Sequence, residues 1–193
     1  MSVQDPILKF RELLERAHAA EAADPTAVAL ATADGEGRPA ARMVLRKGVD
    51  PRGFVFFTNY ASDKASDLSR NPRAALCFYW PALATQVRAE GSVERVDEAE
   101  SDAYFASRPR GHKLATWASR QSAPLADRRE LLEQYHLAEG RFGMGEVARP
   151  PWWGGFRLHP ESIEFWHGFE NRLHDRLLYR RDGEGWSTVR LNP

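Results

Sequence analysis

"AVALATADGEGRPAARMVLRKGVDPRGFVFFTN", residues 27–59, decides the fold class. It reads as three short strands, AVALATA, RMVLRK and FVFFTN, parted by the turn DGEG at 34–37 and by VDPRG. Short apolar runs punctuated by Gly, Pro and Asp are the pattern of antiparallel hairpins. Parallel strands would need a crossover of a dozen or more residues, and no such crossover fits here. After one short helix, read in SDKASDLSRN (62–71), RAALCFYW (73–80) and TQVRAEGSVERV (85–96) supply two more strands.

Upstream, Asp5-Pro6 reads as an N-cap followed by proline at the first helical position. Ile7, Phe10, Leu13, Leu14 and Ala17 then keep helical spacing to about Ala22, and Asp24-Pro25 ends the helix. Downstream, Asp97 with Glu100 resembles a capping box opening EAESDAYFASR (98–108). LADRRELLEQYHLAEGRF (125–142) is a second amphipathic helix, and RPPWWGG (149–155) is a connector. GFRLH (155–159), SIEFWHG (162–168) and a last pair joined by DGEG at 182–185 return to strands. The two DGEG turns read as one hairpin chemistry used twice. The expectation is a single α+β domain over 1–193, mainly β with helices, built as an antiparallel barrel. Its parts are an N-terminal helix (1–23), barrel strands (24–96), a helical segment (97–142) and C-terminal strands (154–193).

Composition narrows the function. The 193 residues carry 27 Lys+Arg and 27 Asp+Glu, so no global field draws the chain to nucleic acid or an anionic membrane, and neither is expected as a partner. The mean hydropathy of -0.55 and the lack of a long apolar run suit a globular protein. MSVQDPILKF has no apolar signal region, and the one cysteine, Cys77, fits a reducing compartment, so a cytoplasmic location is expected. Cys77, within AALCFYW, reads as a packed core thiol.

The motifs are individually ambiguous. GEGRPA (35–40) matches a dinucleotide fingerprint by letters, but a proline and a strand follow where a helix N-terminus is required. The six histidines show no metal-ligand spacing, and no metal is expected. As a strand, RMVLRK puts Arg42, Val44 and Arg46 on one face and Met43, Leu45 and Lys47 on the other. A solvated basic strand and an anion-binding one both fit. FFTNYASDK (56–64) offers either an ordinary N-cap or a phosphate cradle of helix amides plus Lys64. Gln86 in QVRAEG suits an edge or a site. YFASRPRGHK (104–113) places Tyr104, Arg108, Arg110, His112 and Lys113 around a helix end, where cations are routine. In RLHDR (172–176), read as a strand, Arg172, His174 and Arg176 share one face, which calls for a compensating anion.

In this order the segments resemble the pyridoxine/pyridoxamine 5'-phosphate oxidase family. RMVLRKG, GFVFFTNYASDK, NPRAAL, QVRAEG, YFASRPR, WASRQS, WWGGFRL, IEFWHG, RLHDR and the closing RLNP carry the likeness from about Asp24 to Pro193. The resemblance implies an FMN-binding, Greek-key split β-barrel that forms a homodimer with FMN in the interface. It implies oxidation of pyridoxine 5'-phosphate and pyridoxamine 5'-phosphate to pyridoxal 5'-phosphate, with O2 as acceptor, giving H2O2 and, from the amine, ammonia.

By the match, FMN falls to Arg42, Met43, Val44, Leu45, Arg46, Lys47, Phe57, Thr58, Asp63, Lys64, Gln86, Gln121, Ser122, Trp166 and Arg176. The substrate falls to Lys47, Tyr104, Arg108, His112 and Leu173, with Arg172 and His174 as the catalytic pair over its ring. Three positions depart from the family pattern. Asp63 stands in place of arginine, His112 in place of serine, and Arg46 in place of an apolar residue. Asp63 is expected to turn from the flavin phosphate and cap its helix. The basic N-terminal arm of some members is expected to be absent. Two rival readings are a flavin oxidase of another aromatic acid, as in phenazine pathways, and a non-catalytic flavin or pyridoxal-phosphate carrier. Lys47, Tyr104 and Arg108 argue against the first, and H2O2 release would exclude the second.

Overall fold

In the computed structural model, which describes residues 4–20 and 24–193, eight antiparallel strands form one sheet. The strands are β1 (Ala27–Ala33), β2 (Pro39–Asp50), β3 (Gly53–Asn59), β4 (Arg73–Trp80), β5 (Thr85–Arg95), β6 (Trp153–His167), β7 (Asp175–Asp182) and β8 (Gly185–Leu191). Their order is β3-β2-β1-β4-β5-β6-β7-β8, and a β3–β6 pairing closes the first six into a barrel. The β1–β3 meander with β4 returning beside β1 is a Greek key. Closure pairs the edges that β3 and the first half of β6 would otherwise expose.

The long strand β6 makes the split. Residues 153–158 pair with β3, whereas 162–167 pair with β7, and β5 runs along both halves. The sequence suggested two strands here, yet GFRLH and SIEFWHG are one element. Pro160 lacks a donor, and the ladder accommodates it with a register shift at Glu90/Gly91. At the β3 end of the closure the backbones approach closely. Gly53 has φ +136°, and a Cβ there would lie 1.9 Å from the Leu158 carbonyl oxygen. Only glycine fits.

Period-two alternation fills the barrel. Val28, Leu30, Phe54, Phe56, Leu76, Phe78, Val87, Leu158 and Phe165 point inward and are fully buried or nearly so. Helix α1 (Pro6–Ala20) adds Ile7, Phe10, Leu13, Leu14 and Ala17 to the same core, as its helical spacing requires. Phe10 meets Phe54 and Phe78 at 4.8 Å between ring centroids. Phe10→Ala would cost roughly 3–5 kcal/mol in transfer and cavity terms. The Asp5 carboxylate accepts from the Ile7 amide at 2.8 Å, the expected cap. The expected continuation of the helix to Ala22 lies outside the described residues.

The middle of the chain holds four helices: α2 (Asp63–Arg70), α3 (Glu98–Ser107), α4 (Arg110–Ala118) and α5 (Arg128–Phe142). Asp97 caps α3 through the Glu100 amide at 2.6 Å. The reciprocal half of the capping box does not form, because the Glu100 carboxylate binds Arg157 at 2.9 Å instead. Helix α4 was not separated in the sequence, since Ser107-Arg108-Pro109 hides a break between two helices. Pro109 sits at its N-cap position. Cys77 corrects another expectation. It lies half-buried on the outer face of β4, while Leu76 and Phe78 take the core. Burial there pushes its thiol pKa up. The two DGEG turns also differ, because the first spans five residues between β1 and β2 and the second only Gly183-Glu184.

Candidate active site

A cleft of about 520 Å³ opens where β2, the end of β3 and the helical segment meet. Met43, Val44, Leu45 and Lys47 come from β2, and Phe57 and Thr58 from the end of β3. Lys64 comes from the first turn of α2, Tyr104 from the last turn of α3, and Arg108 and His112 from the α3–α4 junction. Gln121 closes one wall from the loop after α4. All of these were expected site residues. Ser107, Pro109 and Trp153 complete the lining and were not.

The polar end is built around Lys64, which is only 7% exposed. Its ammonium donates to Thr58 Oγ1 and Ser62 Oγ, each at 3.2 Å. The Gln121 carbonyl accepts from Thr58 Oγ1 at 3.1 Å and from the Asn59 amide at 3.3 Å. Burial lowers the Lys64 pKa, and the Arg42 charge acts in the same direction against a smaller effect of Asp63. The aromatic wall consists of Phe57, stacked on Tyr104 at 4.0 Å and on Trp153 at 5.4 Å. Burial raises the Tyr104 pKa and lowers that of Arg108.

Among the described residues, no acidic side chain lines the cleft. Among the described residues, neither Lys64 nor Arg108 has a carboxylate within ion-pair distance. Desolvated cations without counter-charges are costly. An anionic ligand would supply the missing charge.

Several expected residues lie elsewhere. Arg46 is not among the lining residues, although Val44 on the same strand face is; it is 8% exposed with its Nε unpartnered. Burial lowers its pKa against the charges of Asp24 and Glu15. Arg42 is not among the lining residues; its Nη1 donates to Thr32 Oγ1 at 2.6 Å, and Asp67 lies 3.6 Å from its Nη2. Asp63 does not cap α2. It is the first helical residue, Ser62 occupies the N-cap position, and the Asp63 amide donates to Ser122 Oγ at 3.2 Å.

Gln86, Trp166 and Arg176 form one cross-strand row on β5, β6 and β7, away from the cleft of the same chain. RLHDR is not a strand throughout, because β7 starts only at Asp175. Asn171 and Arg172 adopt left-handed φ of 54° and 61° in a short 3₁₀ turn that leaves Arg172 and Leu173 exposed. The expected shared face of Arg172, His174 and Arg176 therefore does not exist. The His174 ring packs against Trp166 at 4.6 Å between centroids. Its Nδ1 accepts the Phe169 amide at 3.2 Å, so the neutral ring carries its proton on Nε2. Sequence reasoning missed Glu164, a buried carboxylate bound by both Arg88 and Arg176. Its period-two spacing from Trp166 was the available signal.

Fold and cleft together define an antiparallel split barrel with a cation-lined cleft. The description "Pyridoxamine 5'-phosphate oxidase" matches residues 14–136, and "Pyridoxine 5'-phosphate oxidase C-terminal dimerisation region" matches residues 153–193. A pyridoxine/pyridoxamine 5'-phosphate oxidase of Anaeromyxobacter dehalogenans is 57% identical over 98% of this chain and 96% of its own. One of Rubrobacter xylanophilus is 56% identical over 98% and 87%. Among solved structures, PhzG from Burkholderia lata, in complex with tetrahydrophenazine-1-carboxylic acid, superposes with a TM-score of 0.93 at 33% identity. That match covers 99% of this chain and 94% of PhzG. The chain belongs to the pyridoxine/pyridoxamine 5'-phosphate oxidase family and is an oxidoreductase.

Proposed function

We propose that the protein is an FMN-dependent oxidase that converts pyridoxine 5'-phosphate and pyridoxamine 5'-phosphate to pyridoxal 5'-phosphate. The observation that carries this reading is the cleft with Lys47, Lys64 and Arg108 but no carboxylate. Two phosphorylated ligands, cofactor and substrate, would balance those cations. The cleft volume falls in the range usual for cofactor sites. The donor set also suits a terminal monophosphate: Lys64, Thr58, the Gln121 amide and the Ser122 hydroxyl converge near the N-terminus of α2.

In this reading Met43, Val44, Leu45 and Phe57 lie against the flavin ring. Lys47, Tyr104, Arg108 and His112 hold the substrate phosphate. FMN held there would supply the redox chemistry, hydride acceptance from the substrate with reoxidation by O2 to H2O2. The protein's part is orientation. A substrate anchored by its phosphate would be held for reaction at the flavin, so part of the entropic cost of bringing the two together is met on binding. Arg172 and His174 orient the pyridine ring, with His174 offering the Nε2 proton as a hydrogen-bond donor.

Gln86, Trp166, Arg176 and the Arg172–His174 turn do not line the cleft of their own chain. A second copy brings them to it, which fits the match of residues 153–193 to a dimerisation region. The working unit is then a homodimer with FMN between subunits. The likeness to PhzG favours one other reading, oxidation of a reduced tricyclic aromatic acid. Such an acid has no phosphate to engage Lys47 and Arg108 together. Anaerobic mixing of the flavin-loaded protein with pyridoxamine 5'-phosphate tests the proposal. The visible flavin absorbance should bleach, and persistence of full absorbance would refute it.

A further inference from the structure

Arg108 is the cleft cation with the most built surroundings. Its Nη1 donates to Thr116 Oγ1 at 2.8 Å. Thr116 Oγ1 in turn donates to the His112 carbonyl at 2.9 Å, one helical turn back in α4. A hydroxyl has one proton, so that second bond fixes its polarity and leaves its lone pairs to the guanidinium. The guanidinium plane lies over the Trp153 ring at 4.6 Å and near Phe105 at 5.4 Å. Trp153 is 6% exposed and stacks within 12° of Phe57, so the platform under Arg108 is rigid.

Both supports are electrically neutral. A carboxylate in either place would hold the arginine equally well but would cancel the charge that an anion needs. Neutral supports fix the direction of the fork while leaving its full charge to the ligand. Arg108 Nε and Nη2 make no hydrogen bond among the described residues, so two donor nitrogens stay available.

We infer that Thr116 and Trp153 are positioning residues for phosphate recognition: through Arg108 they set the cleft's preference for phosphorylated over unphosphorylated ligands. This rests on the reading of Arg108 as a substrate-phosphate ligand. Thr116 lies behind Arg108, outside the cleft lining, and would touch neither substrate nor flavin. The effect of its hydroxyl should therefore appear in phosphate-dependent affinity and not in the redox step.

The test is equilibrium titration of the flavin-loaded protein with pyridoxal 5'-phosphate and with pyridoxal, followed by the ligand's absorbance. Thr116→Val, which keeps the shape and removes the hydroxyl, should weaken pyridoxal 5'-phosphate binding about three- to tenfold and leave pyridoxal binding unchanged. Thr116→Ser, which restores the hydroxyl, should recover most of the loss. Trp153→Phe should give a loss of the same sense, and kcat at saturating substrate should stay within about twofold in the two Thr116 variants. Equal affinity of Thr116→Val and wild type for pyridoxal 5'-phosphate would overturn the inference. So would parallel losses for both ligands, which would mean a general structural effect. A wild-type protein that does not discriminate between the two ligands would instead remove the phosphate site itself, and this inference with it.

Discussion

Arg176 and Glu164 lie diagonally across β7 and β6, joined by two parallel bonds, Nε to Oε1 at 2.7 Å and Nη2 to Oε2 at 3.2 Å. The third nitrogen, Nη1, donates to the Asn192 carbonyl at 3.0 Å and so ties down the C-terminal tail. Arg88 reaches the same carboxylate at 3.1 Å. One carboxylate, its side chain 4% exposed, thus serves two guanidiniums on the outer face of the sheet. The pairing raises the Arg176 pKa, chiefly through the hydrogen bonds to Glu164. Since β6 and β7 pair directly here, the triad fixes the row that carries Gln86, Trp166 and Arg176.

Glu164→Gln should therefore destabilise the fold. Breaking a buried pair costs roughly 3–5 kcal/mol, but both arginines keep partial access to water, so roughly 2 kcal/mol is expected. For a chain of this size that lowers Tm by about 4–8 °C. Thermal unfolding followed by circular dichroism decides it, and an unchanged Tm would show that the arginines find other partners.

Lys64 gives a pH dependence with a definite sign. Burial has lowered its pKa, so its ammonium begins to lose the proton below the ordinary lysine range. The charged form is the one that holds a phosphate, and FMN affinity should fall as pH rises through that lowered pKa. The unliganded fold should behave oppositely. The unfolded chain binds this proton more tightly than the folded one, so stability grows with pH between the two pKa values. Titrating apo-protein with FMN from pH 7 to pH 10 tests the first statement. Lys64→Arg, which stays charged, should flatten the curve; an equally steep fall in that variant would place the titrating group elsewhere.

Arg172→Ala and His174→Ala should lose turnover while retaining flavin. Removing one charged contact to bound substrate costs roughly 2–4 kcal/mol, or about 30- to 1,000-fold in kcat/KM. The left-handed Asn171–Arg172 turn, φ 54° and 61°, leaves Arg172 exposed beside the His174 ring that packs on Trp166. Asn171→Val, at a conformation that β-branched residues avoid, should produce a milder form of the same defect. Steady-state kinetics alongside the flavin content of each variant separates substrate loss from cofactor loss. Full activity in both alanine variants would contradict the placement.

The barrel was legible because its signal is local: alternation in 27–59, glycine-bearing turns and a proline-capped helix each specify their own geometry. The segments that carry Lys47, Lys64, Tyr104 and Arg108 were ambiguous one by one, and only the family resemblance singled those residues out for one site. The rest depended on pairings between distant residues. Thr116 and Trp153 became visible only when α4 and β6 were brought beside Arg108, which lies at the break between α3 and α4. Glu164 looked like any exposed strand residue until Arg88 and Arg176 covered it. Arg46 belongs to a run whose neighbours line the cleft, and only the folded strand, with its register shift between Arg46 and Gly48, shows it buried apart from them. RLHDR misled for a related reason, since alternation was assumed through a turn with left-handed backbone.

The most direct test of the central claim is an aerobic assay of the purified, FMN-loaded protein with pyridoxine 5'-phosphate and pyridoxamine 5'-phosphate supplied separately. Pyridoxal 5'-phosphate and H2O2 should appear in equal amounts from each, with ammonia accompanying the product from pyridoxamine 5'-phosphate alone. Unphosphorylated pyridoxine and pyridoxamine should react far more slowly, because the cations of the cleft have no phosphate to hold. Neither H2O2 nor pyridoxal 5'-phosphate from either phosphorylated substrate, with FMN demonstrably bound, would contradict the account.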